Sequence, residues 1–534
     1  MATQSNLIPG SGYGSPYIDS LIWGCRWTST PIRYAFGEGL VPANASSIGE
    51  FVGKAWTEPE KVAFETAISQ YQAVCNLTFI QAISDSPANA DVVWWLADAT
   101  SMGGLGNLGL HEVPDNSGVP VNGYFNYQSS TWSDLSAGSY GYVTVIHELG
   151  HGLGLAHPHD GGSHGDATKF PGVKGPWTVG TYGLNQGIWT TMSYNDGWNL
   201  EPSPAKNFGY QATPMALDIA ALQALYGANT LTATGDDTYV LPGQQASGTY
   251  WSCLWDAGGA DTISNAGSSM GATINLNAAP LVGANAGGFV SWDKGVSGGY
   301  TIAHNVDIEN AIGGDGNDIL IGNALSNVLD GGLGVDRMSG GLGDDIYYVT
   351  RGDVLIEGNG AGGVDTVVAS LSWVLSARDI ENLTLADDAG FANATGNAIA
   401  NTLIGNNSSN VLNGDSGNDI LIGGGGSDRL LGGRGSDIFK YLAFSDSLAG
   451  DATRDVITDF TRGDVLDLSA IDANTNNGDI NDEFTFVGSK AFTGAGQLRF
   501  ISNILSADLN GDGYADFEIQ FVGVKTFSLA SFVL

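Results

Sequence analysis

From Gly313 the sequence repeats every nine residues in the pattern G-G-x-G-x-D-x-U-x, where U is a large apolar residue. Repeats open at Gly313, Gly322, Gly331 and Gly340, and a second set opens at Gly396, Gly405, Gly414, Gly423 and Gly432. The apolar position is held by Leu320, Leu329, Met338 and Tyr347, then by Leu403, Leu412, Leu421, Leu430 and Phe439. Nine residues allow about six of turn and three of strand, with one apolar side chain pointing inward. No single turn can bury that side chain, so the turns must stack on one another. Repeats i and i+2 then share a side, placing Asp318 opposite Asp336, Asp419 opposite Asp437 and Asn410 opposite Asp428. Like charges so close repel, whereas Ca²⁺ between them is coordinated by oxygen. Asp318, Asp336, Asp345, Asp419, Asp428 and Asp437 are therefore the expected calcium ligands. Asn327, Asn401 and Asn410 replace the aspartate elsewhere and predict weaker half-sites.

This array resembles the calcium-bound parallel β-roll of RTX proteins. The roll is expected over residues 313–440, with an interruption at 349–395 that makes it longer or more divided.

The chemistry sits upstream, in His147-Glu148-Leu149-Gly150-His151-Gly152-Leu153-Gly154-Leu155-Ala156-His157. The apolar run Tyr142 to Ile146 predicts a buried helix leading into it. On a helix His147 and His151 lie on one face and can grip one metal ion, while Glu148 stands beside them as a non-ligand carboxylate. Gly154 can take positive φ and turn the chain back, so that His157 supplies a third nitrogen. One coordination position is left for water. His159 and His164, in a Gly/Asp loop, read as solvated.

The full spacing H-E-x-x-H-x-x-G-x-x-H resembles the metzincin metallopeptidases, and Met192 in Thr191-Met192-Ser193-Tyr194 stands where that clan has its Met-turn. Pro158 after the third histidine and Tyr194 two residues past the methionine narrow the resemblance to the serralysin family. It implies one catalytic Zn²⁺ held by His147, His151 and His157, Glu148 as general base, and Tyr194 as a fifth zinc ligand that swings away during catalysis. It also implies several structural Ca²⁺ ions. Asp256-Ala257-Gly258-Gly259-Ala260-Asp261 resembles a calcium loop of the serralysin linker, with Asp256, Gly258 and Asp261 as ligands. Its usual partner segment is altered around Gly235-Asp236-Asp237-Thr238. Asp508 to Gly513 starts like an EF-hand loop, but position 12 is Ile519, so a weak site is expected.

A chain of 534 residues predicts several domains. Residues 1–227 read as an α+β catalytic domain and 228–312 as a linker opening the C-terminal β region. The all-β roll follows over 313–440, then a β-rich segment over 441–534. In the catalytic part, Tyr17 to Phe36 predicts a first strand region, Thr57 to Glu60 a capping box opening a helix, and Leu77–Ile80 and Asp91–Leu96 strands. Gly103–Leu110 and Tyr124–Trp132 predict an edge strand and its neighbour, an edge that can take an extended peptide by strand addition. Thr213-Pro214 opens a last helix closed by Gly227.

A net charge of −37 argues against nucleic acid and anionic membranes as partners. Cys25, Cys75 and Cys253 are too few for a disulfide framework and are expected buried or free. The N-terminal stretch has no signal-peptide pattern and no segment reaches the length of a membrane span. The apolar end, Phe527 to Leu534, resembles the type I secretion signal of serralysins, although Ser531 stands where an acidic residue is usual. The expectation is a monomer exported by a type I (ABC) apparatus from a Gram-negative bacterium, acting on protein or peptide substrates outside the cell.

Overall fold

Five short strands build the sheet that carries the site: β1 (Ile32–Gly37), β2 (Phe79–Gln81), β3 (Val92–Ala97), β4 (Gly109–His111) and β5 (Val121–Asn126). Their order is β2-β1-β3-β5-β4. The computed structural model describes all residues except 1, 6–7, 84–85, 116–119, 163–167, 359–361, 377–378 and 479–481, and His164 lies outside the described residues. It divides into two units, Met1–Ile308 and Glu309–Leu534.

In the first unit β1, β2, β3 and β5 run parallel, and β4 alone is antiparallel, at the edge. Every residue of β3 is buried, as a continuous Val/Trp/Leu run requires when both faces of a strand are covered. Helix α1 (Glu58–Val74) begins at the expected box, the Thr57 N–H donating to the Glu60 carboxylate at 2.8 Å. Helices α2 (Tyr140–Gly152) and α3 (Ala216–Tyr226) follow, and Gly227 closes α3 at φ +77°. The Tyr71 hydroxyl of α1 donates to the Ile146 carbonyl of α2 at 2.6 Å, which fixes α2 against its neighbour.

Two expectations shift. The strand expected over Tyr124–Trp132 lies earlier, at Val121–Asn126, because Tyr127–Trp132 turns back and the Trp132 indole N–H donates to Glu60 at 2.8 Å. Tyr17–Phe36 is not one strand region: Ser15 and Pro16 start a single helical turn, Pro16–Asp19, and only Ile32–Gly37 joins the sheet. After α3, Thr238–Val240 and Thr262–Ser264 pair in parallel, a pairing that sets the neighbouring acidic loops side by side.

The second unit is a stack of parallel strands. One sheet takes, in order, Asn310–Ile312, Val328–Asp330, Ile346–Val349, Thr366–Ala369, Asn382–Leu385, Thr402–Ile404, Ile420–Ile422, Ile438–Lys440, Val465–Asp467 and Phe532–Val533. Leu329, Tyr347, Val367, Leu383, Leu403, Leu421 and Phe439 are aligned in register and fully buried, one apolar rung per turn. The interruption is therefore not a gap in this sheet: Thr366–Ala369 and Asn382–Leu385 carry it through. The spacing between stacked positions changes there from 18 residues to 20 and then 16. The other face is divided, with Ile319–Ile321, Arg337–Ser339 and Val354–Leu355 in one sheet and a new sheet starting at Trp373–Val374.

Candidate metal centre

Helix α2 presents His147 and His151 one turn apart, their ring centroids separated by 5.0 Å. The helix stops at Gly152, and Gly154 at φ +90° turns the chain so closely against the Cys25 carbonyl that no side chain would fit. His157 is thereby returned to the other two. Its Nε2 lies 3.1 Å from that of His147 and 3.0 Å from that of His151.

In each ring Nδ1 is committed elsewhere, which leaves the three Nε2 atoms facing one another. Nδ1–H of His147 donates to the Thr191 carbonyl at 2.7 Å, that of His151 to the Leu155 carbonyl at 2.9 Å, and that of His157 to the Asp160 carboxylate at 2.6 Å. Three Nε2 atoms converge, an arrangement that a cation between them would satisfy. Burial, and then the neighbouring His157, lowers the His147 pKa to about 3, so the imidazole is neutral and able to ligate. His151 is driven down by the same causes. Nitrogens about 3 Å apart suit ligands at the roughly 2.0–2.1 Å of a zinc–nitrogen bond. The donor set fits zinc.

Glu148 packs against the edge strand, where a methyl group on Gly109 would lie 2.5 Å from Glu148 Cγ. Burial pushes its carboxyl up to about 8, opposed by the His111 backbone N–H. It opens on a cleft of about 610 Å³ lined by β4, His151, His157, Asp160 and Tyr194. The Tyr194 ring sits 4.7 Å from that of His157 and 5.8 Å from that of His147. Met192 is fully buried, its Sδ against Gly150 of α2. His159 is not a solvated loop residue: its ring stacks on His157 at 4.9 Å because Pro158 and the Asp160 contact fold the loop back over the site.

Two side chains of the centre escaped the sequence reading. Asp160 stands three residues past His157 and holds its ring, a spacing from which it could have been found. Asp218 of α3 is fully buried and accepts from the Thr190 hydroxyl, the Thr191 N–H and hydroxyl, and the Met215 N–H at 2.6–2.9 Å. It thus pins the Thr191 carbonyl on which His147 rests, and nothing in the local sequence announces it. The three cysteines are free and buried, with Cys25 pushed up to about 12 and so a neutral thiol.

The calcium candidates are arranged as follows. Ligand atoms of Asp256 and Asp261 come within 4.8 Å of each other and of Asp237, a third carboxylate supplied by the altered partner segment. Gly258 donates its N–H to Asp256 at 2.9 Å. In the roll one oxygen of each ladder carboxylate accepts the backbone N–H one full turn earlier: Asp336 from Asp318 at 2.8 Å, Asp437 from Asp419 at 3.0 Å and Asp428 from Asn410 at 2.7 Å. The second oxygens of Asp336, Asp345, Asp419 and Asp428 are buried without a hydrogen bond. The ladder runs on past the repeats to Asp353, Asp365, Asp455 and Asp464. The asparagines behave differently, their amides donating to carbonyls: Asn401 to Ile380 and Glu381 at 3.1 and 3.2 Å, Asn410 to Ala392 at 2.7 Å, and Asn327 to Glu309 at 3.0 Å. The Asp508 loop joins two antiparallel strands, Ile504–Asp508 and Phe517–Phe521, and its carboxylate caps the Gly511 and Gly513 N–H groups.

An α+β unit bearing a three-histidine centre with its Met-turn, followed by a parallel β-roll, is the build of a serralysin-type metzincin. The sequence pattern of the family described as peptidase M10 serralysin C terminal matches residues 216–534, and the chain belongs to that family. It is 32% identical over 311 residues to a serralysin of Photorhabdus luminescens, covering 56% of this chain and 59% of that protein. A serralysin C of Dickeya chrysanthemi is 33% identical over 266 residues, 48% of this chain and 51% of its own. The metalloprotease AprA of Pseudomonas entomophila is 37% identical over 217 residues, 38% of this chain and 41% of its own. The chain thus spans between about two fifths and three fifths of the length of these curated relatives.

Proposed function

We propose that this chain is a secreted zinc endopeptidase that hydrolyses peptide bonds of proteins, with a C-terminal roll that folds on Ca²⁺. The observation that carries the reading is the convergence of three Nε2 atoms, that of His157 about 3 Å from those of His147 and His151, with every Nδ1 committed to an oxygen elsewhere. His147, His151 and His157 would hold the metal, which supplies acidity to water and polarises the scissile carbonyl.

The chain's own residues do the rest. The edge strand β4 offers its unpaired backbone to an extended substrate, fixing the peptide along the cleft. Glu148 takes the proton of the attacking water and passes it to the departing amine. Burial alone would leave this carboxyl protonated at neutral pH, and a dication held by the three histidines would favour the ionised form that a base requires. Tyr194, packed beside His157, is the group placed to act as a fifth ligand at rest and to donate its hydroxyl to the oxyanion.

In the roll, Asp318, Asp336, Asp345, Asp419, Asp428 and Asp437 would ligate Ca²⁺, and Asp256, Gly258 and Asp261 would do so in the linker loop. Export through a type I apparatus and action as a monomer complete the reading. Among the described residues no helix is long and apolar enough to cross a membrane. Casein hydrolysis blocked by a chelator and restored by Zn²⁺ tests the proposal, and a chelator-insensitive or inactive chain of full zinc content overturns it.

A further inference from the structure

A second cavity in the first unit, of about 300 Å³, shares Gly109, Glu148 and Tyr194 with the cleft described above. One face of α2 lines it: Tyr140, Val143, Thr144 and His147 stand at the three- and four-residue spacings that align on a helix. The chain leaving Met192 supplies Tyr194 and, two residues on, Asp196. Trp177, an exposed indole whose ring lies 5.6 Å from that of Tyr194, lines it as well. Among the described residues that line the cavity there is no Lys or Arg, and the carboxylates are Glu148 and Asp196. Asp196 is exposed, and the Tyr140 hydroxyl donates to it. Lys206, the cation that acts on Asp196, is not a lining residue, and its Nζ is held 3.4 Å from the centre of the Tyr140 ring.

We propose that this cavity receives the side chain of the substrate residue that follows the scissile bond, and that Asp196 selects lysine or arginine there. The inference rests on the peptidase reading above and narrows its substrates. Direction comes from the edge strand. From Gly109 and His111 of β4 the chain continues along the first cleft through Glu112, Val113 and Asp115. An extended peptide paired antiparallel to it, the more stable arrangement, runs from the Asp115 end to the Gly109 end. Its C-terminal half therefore meets the second cavity, which opens at Gly109. Selection follows from the lining. The Asp196 carboxylate accepts charge-assisted hydrogen bonds from a guanidinium or ammonium group. Aromatic faces such as those of Trp177 and Tyr140 attract a cation, and Val143 offers apolar surface to its aliphatic stem. An acidic side chain meets repulsion from Asp196 instead, and an uncharged one gains nothing from it.

The test uses the full chain loaded with Zn²⁺ and Ca²⁺. Products from a mixed peptide library, sequenced by mass spectrometry, should carry lysine or arginine in excess at their new N-termini. Quenched fluorogenic peptides that differ only after the cut, with arginine, methionine or glutamate there, then give the ratios. The arginine peptide should exceed the methionine peptide in kcat/KM about tenfold, as one charge-assisted pair allows, and the glutamate peptide should be the poorest. Asp196→Asn should bring the arginine-to-methionine ratio close to one, and Asp196→Lys should favour glutamate over arginine. Each ratio compares substrates on one protein, so a general loss of turnover does not move it. New N-termini without a basic excess, or an unchanged ratio in Asp196→Asn, overturn the proposal and leave the peptidase reading standing. A zinc-loaded parent chain that cuts no peptide overturns both. Asp196→Ser, judged by the same ratio, decides the matter should Asp196→Asn not fold.

Discussion

His157 is the residue on which the centre depends most. Of the three histidines it stands outside the helix, and the Asp160 carboxylate accepts its Nδ1–H at 2.6 Å. Asp160→Asn leaves a weaker acceptor for that N–H, and loss of such a supporting carboxylate lowers metal affinity about 10–100-fold. Competition with a chromogenic chelator should show this drop with the fold unchanged by circular dichroism. Glu148→Gln should act in the opposite way, retaining zinc while losing roughly 10²–10⁴ in casein turnover, since only the proton carrier is removed. Normal zinc with near-parental turnover would sink the assignment of the base. His151→Ala should lose the metal itself. The histidines and Glu148 were legible because their relation is local, fixed by helical spacing and one glycine. Asp218 was not legible, because it acts across 27 residues through the Thr191 backbone, and a buried aspartate in a helix looks like any other until its partners are seen.

At the scale of the element, the nonapeptides announced their strands because glycines mark every turn. The interruption hid its strands for the converse reason. Thr366–Ala369 and Asn382–Leu385 lack the glycine frame, and only the inward Val367 and Leu383 keep the stack's rhythm. The asparagine turns were read as weaker calcium half-sites, and their amides donate to the carbonyls that a cation would otherwise meet. Asn410→Asp should therefore place a carboxylate against the Ala392 and Gly390 carbonyls. An unmet buried group of this kind costs about 1–3 kcal/mol. Denaturant titration in EGTA should show that loss, and millimolar Ca²⁺ should recover part of it. Equal stability of parent and variant without calcium would contradict the assignment of the amide as a stand-in for the ion.

Over the whole molecule, the charge of −37 is concentrated in consequence where it is buried. Without metal, burial first and neighbouring carboxylates after it push Asp336, Asp345, Asp419 and Asp455 up to about 7, and Asp428 to about 8. Folded pKa values above the unfolded ones mean that the folded form holds extra protons between about pH 4 and 7. Their contribution to stability is complete below the unfolded pKa and is lost as pH rises through the folded one. Calcium-free chain should thus keep more roll structure at pH 5 than at pH 8, by circular dichroism in EGTA. Calcium, which displaces those protons, should bind with a midpoint that falls as pH rises from 5 to 8. A midpoint independent of pH would refute this linkage.

The asparagine-closed turns between Ile380 and Asn413 have one more consequence, which concerns time rather than stability. A one-dimensional stack grows from whichever turn closes first, and the first closure is the slow event. Turns that need no ion give the chain a ready nucleus in its own interior. Arriving calcium then only has to extend it, rung by rung, towards Gly313 on one side and Lys440 on the other.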